Sequence, residues 1–138
     1  MIKLTKTKLV AMLLIASTLV MFNGTSVHAG TDTMTVDFFG EKTTYMSSSA
    51  YQYSADACTY GADPNSGVTC IIVSSTYTTK HKITGTLHTE TKGPYSQANG
   101  VTVSFSAPDN HVSCSVTTVH KATYMGYERP GNTSATYN

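Results

Sequence analysis

The chain has 138 residues, three cysteines, nine tyrosines and no tryptophan, with a formal net charge of +1 and 12% of its residues charged. That length holds one domain with a modest core. So sparse a charge, with no clustered basic face, argues against a nucleic-acid binder and against electrostatic attachment to an anionic membrane.

The first residues read as a leader rather than as part of the fold. Lys3, Lys6 and Lys8 precede the apolar run Leu9–Phe22, which is shorter than the roughly 20 residues needed to span a bilayer. Val27 and Ala29 then place small side chains three and one positions ahead of a cleavage point. The expected organisation is a Sec-type signal peptide over residues 1–29, short and lysine-rich in bacterial style, followed by a single secreted β domain over 30–138 whose C-terminal tail frays. An uncleaved N-terminal anchor is the alternative. Cleavage leaves six basic against eight acidic side chains, a net charge of −2, and no second apolar run that would make an integral membrane segment.

Thr33–Phe39 is the first expected strand, with Met34, Val36 and Phe38 on one face, and Gly40-Glu41-Lys42 turns the chain. Thr43–Tyr60 is rich in Tyr, Ser and Ala and is expected as two strands broken at Ser47-Ser48-Ser49. The helical spacing of Ala50, Tyr51, Ser54 and Ala57 leaves a short helix as the alternative. Gly61–Gly67 carries turn chemistry. Val68–Val73, apolar on both faces, reads as a central strand continuing into the polar Ser74–Lys82. A two-residue turn at Thr84-Gly85 puts His81 opposite His88, with Glu90 on the same face; without that turn, Ile83–Thr91 simply continues as a strand. Gly93–Gly100 is the next loop.

The strongest pattern lies in Val101–Val119. If Pro108–His111 closes a hairpin, the pairs Val103/Val116, Phe105/Cys114 and Ala107/Val112 share an apolar face. Thr102/Thr117, Ser104/Ser115 and Ser106/Ser113 then form a hydroxyl ladder on the other face. His120–Tyr127 follows, Arg129–Asn132 breaks the pattern, and Thr133–Asn138 is a short edge strand or a frayed end. The expected fold is all-β: a small antiparallel β-sandwich or open barrel of about six to eight short strands.

Export permits disulfides, and three cysteines leave at least one over. If the Gly61–Gly67 loop joins two antiparallel strands, Cys58 and Cys70 fall within bridging distance, and the closed loop contributes roughly 3 kcal/mol. Cys70–Cys114, tying two sheets, competes with it, as does no bridge at all. The leftover Cys114 reads as a small buried hydrophobe. Cys114 and His120 lie about 20 Å apart along one strand, too far for a nucleophile and its base. No Gly-x-Ser-x-Gly elbow occurs, and the acids are scattered. The histidine spacings match no zinc motif, although His81 and His88 with Glu90 would make a metal or pH-sensing group if the hairpin forms. No metal or cofactor is therefore expected, and no catalytic residue.

Tyrosine combines apolar area with a polar tip and suits recognition surfaces. Tyr60, Tyr95, Tyr124 and Tyr127 are the candidate ligand surface, the competing role being packing in a chain poor in other aromatics. The expected function is binding without catalysis: to a cell surface, a carbohydrate, a protein, or a second copy of the chain. A bacteriocin-like or membrane-active antagonist is the alternative, and a small hydrolase the least supported reading.

Overall fold

A computed structural model describes residues 29–138. The expected signal peptide over 1–29 falls almost wholly outside the described residues. The described chain forms nine strands: β1 (Gly30–Phe38), β2 (Lys42–Ala50), β3 (Ser54–Gly61), β4 (Thr69–His81), β5 (Leu87–Lys92), β6 (Tyr95–Ala98), β7 (Gly100–Ser106), β8 (His111–Tyr124) and β9 (Tyr127–Thr136). Sheet A has the order β1-β2-β3-β7; sheet B has the order β5-β4-β8-β9, with β6 pairing β4 on the flank that β5 uses. Every pairing is antiparallel. The two sheets face each other across one core, which resolves the choice between sandwich and barrel in favour of the sandwich.

Alternation explains which side chains go inward. On β7, Val101, Val103 and Phe105 are buried while Thr102 and Ser104 are exposed, as period-2 patterning requires. Phe105 meets Tyr77 of β4 from the opposite sheet, ring centroids 5.3 Å apart. Phe38, Met46, Ile72, Val68 and Val116 fill the rest, and Ala50, Ala55, Ala57, Ala122 and Ala135 let the sheets approach.

Several expected boundaries move. The chain between β2 and β3 breaks at residues 51–53 rather than at Ser47–Ser49, and no helix forms there. The loop 93–100 contains β6. β9 runs straight through Arg129–Asn132. Pro130 is tolerated because β9 is an edge strand, and Gly131 because a Cβ there would collide with the sulfurs of Met46 and Met34.

The larger correction concerns Val101–Val119. It is not a hairpin: β7 pairs with β3 in sheet A, whereas β8 pairs with β4 and β9 in sheet B. Residues 107–110 carry the chain from one sheet to the other. The faces of β8 also differ from the strict alternation. Thr78 pairs with Ser115 but Thr79 with Ser113, so Cys114 is the extra residue of a β-bulge. Ser113 turns into the core and Cys114 is only partly buried.

One side of the sandwich is closed, because β1 lies along β9 and the Ser134 N–H donates to Asp32. On the other side β7 is a free edge whose own residues carry no charge. Lys92 guards it: its ammonium donates to the Ser104 carbonyl at 2.7 Å and sits 4.7 Å above the Phe105 ring. A lysine across an unpaired edge obstructs strand addition. Lys92→Ala is therefore expected to associate with rising concentration in sedimentation velocity while the parent chain does not. A variant that stays monomeric throughout would remove the guarding role.

Candidate binding surface

The outer face of sheet A is assembled by register. β2 and β3 pair so that Tyr45 lies across from Tyr60, with Thr35 beyond Tyr45 and Gly100 beyond Tyr60. The two phenol rings stack at 5.3 Å with 29° between their planes, and both are exposed. Gly100 adds no side chain beside Tyr60, so the shelf is open on that flank. Two rows run parallel to it: Thr33, Ser47, Cys58 and Thr102, then Thr31, Ser49, Asp56 and Ser104. Ser47 Oγ lies 2.9 Å from Cys58 Sγ, and Thr31 and Ser49 hydroxyls are 3.1 Å apart. Asp56 is the one charge in these three rows. Burial, with smaller contributions from Cys58 and Tyr45, pushes the Tyr60 hydroxyl up, so it stays a protonated donor.

Sheet B repeats the hydroxyls without the aromatics. Thr91, Thr76, Thr117 and Ser134 form one row, and Thr89, Thr78, Ser115 and Thr136 the next. Such rows alone follow from the fit of threonine to an exposed pleated surface. The tyrosine shelf is what distinguishes sheet A.

The four expected surface tyrosines do not converge. Tyr60 sits on the shelf with Tyr45, a residue the sequence did not single out. Tyr95, on β6, lines a cleft of about 430 Å³ beside the β7 edge, together with Lys92, Gln97 and Thr102. Tyr124 packs on buried Phe38, centroids 5.8 Å apart, and belongs to the core periphery. Tyr127 is exposed at the end of the sandwich, edge-on to Phe39 at 4.8 Å.

The expected Cys58–Cys70 bridge is not formed, and all three thiols are free. Its premise fails in the topology: β3 and β4 belong to different sheets, so the loop between them is a crossover, not a hairpin. Cys58 lies on the outer face and Cys70 is buried. Burial pushes both thiols up, away from the thiolate a nucleophile needs.

His81 and His88 are not cross-strand partners; His88 lies opposite Thr79. His111 joins them instead, its ring 5.0 Å from His81 and 6.1 Å from His88. His81 Nδ1 accepts the Ile83 and Thr84 N–H groups, the opposite of the N–H donation that orients a ligating imidazole. Among the described residues, no group of three or more His, Cys, Asp or Glu is arranged to hold a metal ion.

His120, which the sequence offered only as a residue too distant from Cys114 to serve it as a base, is fully buried between the sheets. Its Nδ1 lies 2.8 Å from the Thr59 hydroxyl and its Nε2 2.7 Å from that of Thr133. From Thr133 the chain of hydroxyls continues through Ser48 and Thr118 to Ser75. Burial lowers the imidazole to about 4, the Asp32 carboxylate opposing. With no exposed face, this ring is a core fixture rather than a general base. The helix content also bears on membranes: among the described residues no helix is long and apolar enough to cross one.

No protein-family model, no curated protein and no solved structure matches the chain.

Proposed function

We propose that the protein is an exported, non-catalytic binding module whose ligand is a polysaccharide, held on the outer face of sheet A. The observation that carries this reading is the exposed Tyr45–Tyr60 stack embedded in rows of hydroxyls. Pyranose rings offer an apolar C–H face to an aromatic surface and hydroxyls around their rim. The shelf supplies the first contact and Thr35, Thr33, Ser47 and Thr102 the second, with donors and acceptors of the same kind as the ligand's own. The near absence of charge suits a neutral polymer and disfavours a polyanion. The leader-like Lys3–Ala29 segment supports export, where such polymers lie.

Retention on insoluble polysaccharides, with cellulose, chitin and purified bacterial cell wall as separate arms, tests the reading. Tyr45→Ala and Tyr60→Ala are each expected to weaken retention on the binding polymer by roughly tenfold, about 1.4 kcal/mol. Both side chains are surface-exposed, so melting temperatures should hold. Equal retention of parent and variants, or retention on no polymer, would defeat it.

A further inference from the structure

A second surface lies at the end of the sandwich where two hairpin tips meet. The β1–β2 turn is Phe39-Gly40-Glu41, and the β8–β9 turn is the two-residue Met125-Gly126. Phe39 (φ 59°) and Met125 (φ 50°) both occupy the left-handed region, each followed by a glycine that does so too. Bulky residues are uncommon there, and turns of this type favour asparagine. The chain itself follows that preference elsewhere, using Asn99 (φ 65°) and Asn110 (φ 61°) at its two other non-glycine positions of positive φ among the described residues. At the two tips it instead places large apolar side chains that bury little: Phe39 is 57% exposed and Met125 77%. Turn chemistry does not account for that choice.

The tips form one unit. Phe39 packs edge-on against Tyr127, itself 54% exposed, and Arg129 of β9 donates from Nε to the Asp37 carbonyl beside the first turn. Beyond this unit the turns are bare, since a Cβ added at Gly40 or Gly126 would meet nothing within 4 Å. Both turns therefore face open space. Projecting apolar side chains need a complementary pocket in a rigid protein but none in a fluid lipid interface, where tyrosine also settles with its hydroxyl toward water. Flanking charge balances, with Asp37, Glu41 and Glu128 set against Lys42, Lys121 and Arg129, so attraction to anionic headgroups is not part of the design.

We propose that Phe39, Met125 and Tyr127 insert into the interface of a zwitterionic lipid bilayer and dock this end of the sandwich on it. The attachment is peripheral and reversible, on the order of the 10⁴ M⁻¹ of a single acyl chain, and insensitive to salt. It is independent of the sugar-binding face, which lies on a different surface.

The test uses phosphatidylcholine vesicles and the full chain. Because the protein has no tryptophan, Phe39→Trp gives a reporter confined to the tip. Its emission should shift to the blue on adding vesicles and be quenched by brominated lipid. In flotation, the Phe39→Asn/Met125→Asn double variant should need at least tenfold more lipid than the parent. Asparagine suits the left-handed turns, so this variant should melt no lower than the parent, and any contribution of residues 1–28 is common to both chains. Equal flotation of parent and double variant overturns the proposal. So does an unshifted reporter on vesicle-bound protein, or a blue shift produced by raising protein concentration without lipid, which would assign the tips to self-association.

Discussion

Lowering the pH from 7 to 4 is expected to remove roughly 3 kcal/mol of folding stability through one residue, His120. Its ring is held neutral in the fold and titrates at about 4, against an ordinary 6.5. In the unfolded chain it takes a proton near 6.5. Above that pH both states are neutral and the contribution is complete. Between 6.5 and 4 only the unfolded state binds the proton, so stability falls as the pH falls; below 4 this group adds no further slope. Protonation is costly because the imidazolium would be a charge buried between the sheets. Urea unfolding at stepped pH measures the slope. His120→Gln, which keeps both a donor and an acceptor, should lose stability at pH 7 but flatten the dependence between 6.5 and 4. A variant that retains the parent's slope would place the acid sensitivity elsewhere.

Phe105→Ala is expected to cost about 3–5 kcal/mol, the range for emptying a phenylalanine site in a core. Phe105 is 2% exposed and bridges the sheets by its tilted contact with Tyr77. Tyr77 cannot follow into the space, because its hydroxyl is held 2.6 Å from Ser113 Oγ. Lys92 also loses the ring beneath its ammonium. The urea midpoint should fall while the slope of the transition stays constant. A loss below 1 kcal/mol would mean that neighbouring strands collapse onto the gap.

The class of fold was legible in the sequence because alternation marks a face. Val101, Val103 and Phe105 do point inward, and the expected loop over Gly61–Gly67 forms from residue 62 onward, Gly61 being the last residue of β3. Alternation does not name the strand's neighbour, so adjacency in sequence suggested that β7 pairs with β8, where topology pairs it with β3. Nor does a period of two survive a bulge: the extra residue at Cys114 exchanged its place with Ser113. The buried histidine was within reach, since Val116, Thr118, His120 and Ala122 continue one face of β8, but a polar residue there is read as exposed until its partners on β3 and β9 are known. Tyr45 and Tyr60 stand nearly equidistant from the break after Ala50. Placing that break at 51–53 instead of Ser47–Ser49 would have set them opposite each other. The tips at Phe39 and Met125 carry aromatic-x-Gly sequences, which signal turns but not that the two turns touch.

The crossings between sheets also set a timetable for assembly. β3 waits for β7 to cover its free edge, β4 waits for β8, and β1 lies beside β9 at the far end of the chain. None of these three contacts is local, and topologies that depend on such contacts fold in milliseconds to seconds rather than microseconds. A chain emerging N-terminus first presents β1–β3 as an incomplete sheet, with both flanks open and its inner face bare, until most of the remaining residues have followed. Its vulnerability to misassembly therefore lies in that interval, and holding β1–β3 apart from other copies is what successful maturation requires.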